Sequence, residues 1–228
     1  MILRIATYNV HRTVGRDGRR APHRIAAVLG EINADVTALQ EVTYDSIGQQ
    51  NELDHMAQAA GAGAIAGPTL VEGAGRYGNA VLTRIAPDAV ERLDISVPDR
   101  EPRGALALRL KINGRTVKVV ASHLGLRPGE RRFQVQRLLT VLDKPAASLT
   151  IVLGDFNEWF SWARSLRRLT RRLGASPAPA TFPSHRPVLS LDRIWVHPPE
   201  RLVRISPHRS VLSRIASDHL PLVADVRV

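Results

Sequence analysis

Thr150-Ile151-Val152-Leu153-Gly154-Asp155-Phe156-Asn157 is a short β-branched and aliphatic run that closes on a carboxylate and an amide two positions apart. A run of four apolar-rich residues bounded by glycine reads as a buried strand. If the chain stays extended beyond it, Asp155 and Asn157 point to the same face. The same arrangement recurs outward from this stretch. Residues 2–8 lead into Asn9 and His11, residues 36–39 into Gln40 and Glu41, and residues 117–122 into His123, while Asp218 and His219 precede a run over 220–226. Strand ends on a common edge of packed sheets converge in space, so the pattern predicts one site assembled from scattered sequence.

Further strand-like runs occupy 80–82, 105–112 and 192–196. Helical spacing appears over 22–32, with Ile25, Val28, Leu29 and Ile32, and over 128–142, with Val135, Leu138, Leu139 and Leu142. Pro22 suits the first turn of its helix. Strands outnumber helices, and several follow one another directly, which predicts an α/β (α+β) arrangement of mixed, largely antiparallel sheets packed together with helices outside. No Gly/Ser linker or repeat divides the chain, and Ser176-Pro177-Ala178-Pro179-Ala180 reads as a surface loop. One domain over residues 1–228 is the expectation.

Composition narrows the chemistry. The 228 residues contain no cysteine, which excludes disulfides, thiolate metal sites and a cysteine nucleophile. The formal charge is +11, which favours a negatively charged partner or substrate, although an Arg-rich soluble protein would carry the same excess. Met1 to Ile5 enters a strand pattern with no basic leader or long apolar stretch, and no apolar run is long enough to span a bilayer. A cytoplasmic protein without a transmembrane segment is expected.

Oxygen- and imidazole-bearing groups therefore carry whatever chemistry is present, and they suit phosphoester hydrolysis. That reaction needs neutralisation of the phosphoryl oxygens, an activated water and help for the leaving oxygen. Glu41 and Asp218 are the carboxylates expected nearest a hard cation such as Mg²⁺, with Mn²⁺ as the alternative and Asn9 as a neutral oxygen donor. Asp155 suits the base that takes or orients a water proton, and Asn157 suits a hydrogen-bond donor to the attacked group. His123 and His219 can be cationic or shuttle a proton, and Asp192 is the expected carboxylate partner of His219. Each of these residues alone also has a structural reading as a turn, cap or edge residue; their joint occurrence is what points to a site.

Taken in order, Thr7-Tyr8-Asn9-Val10, Leu39-Gln40-Glu41-Val42, Tyr77-Gly78-Asn79-Ala80, Ser122-His123-Leu124, Gly154-Asp155-Phe156-Asn157, Leu191-Asp192-Arg193-Ile194 and Ser217-Asp218-His219-Leu220 resemble the endonuclease/exonuclease/phosphatase superfamily over nearly the whole chain. The resemblance implies a DNase I-like four-layer sandwich of two mixed sheets flanked by helices. It implies a metal carboxylate at Glu41, a catalytic Asp and Asn at Asp155 and Asn157, a terminal Asp-His at Asp218 and His219, and an orienting Asp at Asp192. The histidine at position 123 is similar to the DNase I, sphingomyelinase and inositol-phosphatase branches, where abasic-site endonucleases carry Tyr. His11 departs from repair enzymes, which carry an acid near the metal at that point.

Asn79 and Arg103 lie in loops resembling those that line the family's cleft, and they are the candidate substrate contacts; a hairpin turn with a solvated Arg is the plainer reading. The phosphoester substrate is expected to be small, lipid-linked or a nucleic acid. Residues 159–173 concentrate Trp and Arg, with Arg164, Arg167, Arg168, Arg171 and Arg172 at helical spacing and Leu166, Leu169 and Leu173 on the other face. Such a face could hold nucleic acid or make peripheral contact with an anionic membrane, or it could be an ordinary outer helix with solvated Arg.

Overall fold

Alternation along each central strand divides the apolar side chains between two destinations. In β1 (Ile2–Asn9), Leu3 and Ile5 enter one cluster while Ala6 and Tyr8 enter another. The computed structural model describes residues 1–44, 46–47, 50–72, 75–143 and 147–228. After β1 come α1 (Pro22–Ile32), β2 (Val36–Thr43), the short strands β3 (Ser46–Ile47) and β4 (Gln50–Asn51), α2 (Glu52–Ala60), β5 (Gly63–Glu72), β6 (Gly75–Thr83) and β7 (Pro87–Asp94). β8 (Gly104–Ile112), β9 (Arg115–His123), α3 (Pro128–Leu142), β10 (Leu149–Asp155) and α4 (Arg164–Leu173) follow. The chain finishes with β11 (Asp192–His197), β12 (Leu202–Pro207), α5 (Ser213–Ala216) and β13 (Leu222–Arg227).

Two mixed sheets result, ordered β12-β13-β1-β2-β6-β5 and β11-β10-β9-β8-β7. Their facing side chains form the central core, where Leu3, Ile5, Val36 and Val81 of the first sheet meet Leu108, Val119, Ile151 and Ile194 of the second. On the outer face of the first sheet, Tyr8, Leu39 and Leu82 pack on Ile25, Leu29 and Met56 of α1 and α2. On the outer face of the second, Val120, Val152 and Trp195 pack on Leu138, Leu166 and Leu169 of α3 and α4. The sequence therefore builds helix, sheet, sheet and helix layers, a four-layer sandwich. Among the described residues no helix is long and apolar enough to cross a membrane.

Each sheet contains one parallel pair joined by a helix: β1 and β2 across α1, and β9 and β10 across α3. A parallel pair places both carboxyl ends on one edge, and ligands bind outside those ends in open α/β sheets. β1 packs across β10, so the ends of the two pairs face each other over the core.

Pairing also extends the strands past the boundaries expected from their apolar runs. Asn9 pairs with Gln40, and Asp155 pairs with both His123 and Asp192, so these polar groups lie within the strands rather than after them. The backbone ladder continues because it is indifferent to side-chain polarity. Five strands escape the sequence pattern: the two-residue β3 and β4, and β5, β7 and β12, which are edges of the two large sheets. An edge facing water carries little alternation; β7, for example, has no fully buried residue. The short α2 is likewise unmarked by a long periodic run, and its start is set by the Asn51 side chain accepting from the Asp54 N–H. In the Arg-rich segment the helix begins only at Arg164, so the aromatic residues 159–162 precede it; its Leu166, Leu169 and Leu173 are buried as the spacing indicates.

Candidate active site

His123, Asp155 and Asp192 are direct neighbours on three adjacent strands, and their parity matches Ala121, Leu153 and Ile194, which face the central core. Asn9 and Gln40 occupy the same position at the end of the opposite sheet. The site is thus the polar end of the apolar core. Asn9 Nδ2 spans the sheets, donating to Glu41 Oε1 and to Asp155 Oδ2 at 3.0 Å each. Glu41 reaches this point through a bulge. The register shifts between Leu39 and Val42, and Glu41 adopts a left-handed φ of 58°. A bulge of this kind re-aims a side chain that strict alternation would send outward.

Gly154 explains itself by close approach. With φ at 149°, an added Cβ would lie 1.8 Å from the Ser122 carbonyl oxygen on β9, so only glycine lets the two strands meet here. Beyond Asp155 the chain does not stay extended, contrary to the expectation for Asp155 and Asn157. Phe156 is buried edge-on against Trp195, and Asn157 takes a left-handed φ of 50°. The Asn157 N–H donates to Asp155 Oδ1 at 2.9 Å, so the two groups are brought together by a turn closed on the carboxylate itself.

The two histidines are in opposite charge states. His219 Nδ1 is 2.8 Å from Asp192 Oδ2, and its Nε2 lies 3.7 Å from Asp155 Oδ2. Burial opposes its protonation, but the charges of Asp192 and Asp155 outweigh this and raise its pKa to about 10. Burial pushes Asp155 up to about 6, with Asp192 adding to the rise against the pull of His219. His123 is held well below the usual histidine range, first by burial and then by the adjacent Arg103 cation. Arg103 NH1 sits 3.0 Å from His123 Nδ1, and Asn157 Nδ2 sits 3.1 Å from Nε2. A neutral imidazole accepts at only one nitrogen, and both neighbours are donors; the guanidinium is a charged, fixed donor, whereas the Asn157 amide has the Leu124 carbonyl to receive its proton. Nδ1 therefore accepts from Arg103, and the ring proton stays on Nε2, which faces Asp155 Oδ2 at 3.7 Å. Asn157 gives its amide hydrogen bond to the Leu124 carbonyl at 2.8 Å.

Arg103 is buried, with NH2 on Glu101, and Asn79 donates to the Gly104 carbonyl, so both candidate substrate contacts are engaged with protein partners. Asp218 Oδ1 lies 3.3 Å from Ser217 Oγ and 3.8 Å from His11 Nδ1. Ser217 Oγ also donates to the Asn9 carbonyl at 2.7 Å, tying the Ser-Asp-His turn to the end of β1. The structure adds residues that sequence reasoning did not single out. Thr181 donates to Asp192 Oδ2 at 2.6 Å, and the Phe182 ring lies against His219. Arg131 and Glu158 form a buried ion pair beneath the Asp155–Asn157 turn. No spacing marks Thr181, which a loop carries into place.

Two donor sets could hold a cation. Asp155, Asp192 and His219 lie close enough together to share one. Asp192 Oδ2, however, is already committed to His219 and Thr181, and a cation there would displace the orienting hydrogen bonds. Glu41 and Asp218 are only partly buried, and with the neighbouring Asn9 amide they offer hard oxygens where a hydrated ion keeps its waters. The oxygens of Glu41 and Asp218 are of the kind a hard divalent ion prefers, and using them leaves the hydrogen bonds of Asp192 Oδ2 in place.

Two packed mixed sheets flanked by helices, with carboxylate, amide and imidazole groups gathered where the strands end, define a DNase I-like protein. The chain belongs to the endonuclease/exonuclease/phosphatase family, whose pattern matches residues 6–219. Members of that family are in general phosphoester hydrolases. The uncharacterized protein YbhP of Escherichia coli K12 is 30% identical over 248 residues, spanning 99% of this chain and 96% of that protein. An endonuclease/exonuclease/phosphatase from Beutenbergia cavernae superposes with a TM-score of 0.79 at 25% identity, covering 100% of this chain and 72% of its own. The mannosyl-6-phosphatase Bt3783 of Bacteroides thetaiotaomicron shares the fold, with a TM-score of 0.73 at 16% identity over 99% of this chain and all of its own.

Proposed function

We propose that this chain is a divalent-metal-dependent hydrolase of phosphoester bonds, working as a single catalytic unit over residues 1–228. The observation that carries the reading is Asp155. It is buried at the meeting point of both sheets, bonded to Asn9 and faced by the Nε2 atoms of His123 and His219 at 3.7 Å each. An oxygen of water or substrate seated alongside Asp155 Oδ2 and either ring nitrogen would lie within hydrogen-bond reach of both.

In this reading Asp155 takes or orients the proton of the attacking water. The water oxygen forms the new bond to phosphorus as the ester P–O bond breaks. His219, cationic and oriented by Asp192 and Thr181, balances charge on the phosphoryl oxygens and can pass a proton to the leaving oxygen. His123 offers an uncharged N–H donor, its tautomer set by Arg103, and Asn157 stands beside it as a second donor. Glu41, Asp218 and Asn9 would hold Mg²⁺, or Mn²⁺, which supplies charge neutralisation when bound.

The test is hydrolysis of bis-p-nitrophenyl phosphate with Mg²⁺ or Mn²⁺. Activity should disappear in EDTA and in Asp155→Ala and His219→Ala, and full activity in both variants would refute the assignment. The charge of +11 supports a second reading, a nuclease. Cutting of plasmid or single-stranded DNA at low salt with Mg²⁺ distinguishes it from action on small or lipid-linked phosphoesters.

A further inference from the structure

Next to the Asp155–Asn157 turn the protein exposes side chains that usually seek burial. Trp159, Phe160 and Trp162 are 62%, 53% and 70% exposed, and Leu126, three residues past His123, is 71% exposed. Phe160 and Trp162 share a groove with Pro128 and Arg132 at the start of α3, so the two loops form one surface. Phe133 on α3 is 46% exposed as well, whereas Phe156 and Trp195 are buried. Clustered exposed aromatics of this kind mark interaction surfaces rather than ordinary solvent contact.

The charge around the patch has one sign. Arg127, Arg132, Arg164, Arg167, Arg168 and Arg171 are exposed there. Across residues 126–140 and 159–172 the carboxylates are limited to Glu130, which is buried. Trp and Phe seat at the level of lipid headgroups, and Arg beside them pairs with anionic headgroups while its stem covers apolar surface. We propose that the face built from the Leu126 and Trp159–Trp162 loops and the Arg side of α4 docks on the surface of an anionic phospholipid bilayer.

Two features favour lipid over nucleic acid. Phe160 and Trp162 lie against each other, with ring centroids 5.1 Å apart and planes tilted by 36°, so each partly occupies the face a base would stack on. Leu126 contributes aliphatic surface with no face for stacking. Docking here would set the Asp155–Asn157 turn beside the headgroup layer, because Trp159 follows Asn157 by two residues. Docking of this face is independent of the reaction proposed for the site.

The protein reports on itself, since Trp159 and Trp162 are exposed and the third tryptophan, Trp195, is 3% exposed. Co-sedimentation and tryptophan emission are followed with vesicles of phosphatidylcholine alone and of phosphatidylcholine with an equal share of phosphatidylglycerol. Expected are binding and a blue shift with the anionic vesicles only, weakened by salt. Affinity should fall roughly tenfold or more in Trp159→Ala/Trp162→Ala and in Arg164→Gln/Arg168→Gln, all exposed positions whose circular dichroism should match wild type. Hydrolysis of soluble bis-p-nitrophenyl phosphate should be unchanged in both double variants, which separates failure of docking from failure of the catalytic reading. Equal binding to neutral vesicles, binding indifferent to these substitutions, or tighter binding of a single-stranded oligonucleotide that the same substitutions weaken would overturn the proposal.

Discussion

Glu158→Ala should destabilise the protein far more than loss of a surface charge. Arg131 and Glu158 form a two-pronged pair, Nε to Oε2 at 2.9 Å and NH2 to Oε1 at 3.1 Å, with side chains only 5% and 4% exposed. Ser165 adds a hydrogen bond to Oε2, and Arg131 NH1 donates to the Leu126 carbonyl. The pair thereby joins α3, the loop after His123, the turn after Asp155 and the first turn of α4. Truncating Glu158 leaves the guanidinium buried without its counter-charge, which costs roughly 3–5 kcal/mol. For a chain of this length that corresponds to a fall in Tm of roughly 6–20 °C. Urea unfolding of both forms is the assay, with an unchanged slope to show that the same surface is exposed. Arg131→Met/Glu158→Leu, which removes both charges, should recover to within about 2 kcal/mol of wild type. A loss below about 1 kcal/mol in Glu158→Ala would mean that the pair behaves as a solvated one and does not hold these elements together.

Three other outcomes follow from the site. Asp192→Asn removes the charge that holds His219 protonated, so the His219 titration, read by NMR, should move down from about 10, and turnover should fall roughly 10²–10⁴-fold. An unmoved titration would exclude Asp192 as the orienting group. Gly154→Ala forces a Cβ against the Ser122 carbonyl and should cost roughly 2–5 kcal/mol in urea unfolding; near-wild-type stability would show that β9 and β10 can separate freely. In EDTA, stability should decline as pH rises from about 6.5 to about 10. His219 binds its proton more tightly in the folded state, so its contribution is complete below the unfolded value and is lost through the folded one. Asp155, raised to about 6, exerts its effect below that window. Thermal unfolding across the range should lose this decline in His219→Asn.

Local sequence carried much of the architecture. Alternating runs such as 2–8 and 117–122 and the helical spacing of Ile25, Val28, Leu29 and Ile32 identified central strands and outer helices, because buried elements advertise their faces through periodicity. Edge strands β5, β7 and β12 stayed silent because one face and one backbone edge meet water. The residue types at the strand ends were legible for the same local reason: a buried strand that closes on Asp, Asn, His or Glu has few structural uses for them.

What only the tertiary structure decided is how those groups meet. Asp155 finds His123 and Asp192 through register across neighbouring strands, and it finds Asn9 through the packing of one sheet on the other. Glu41 is turned inward by a bulge, and Asn157 by a left-handed turn, neither of which two-residue alternation expresses. Asp192, itself held by Thr181, and Arg103 set the states of His219 and His123 from other parts of the chain. Sequence specifies donors, acceptors and periodicity position by position. Charge state and tautomer depend on burial and on partners distant in the chain, and those exist only once the sheets have closed.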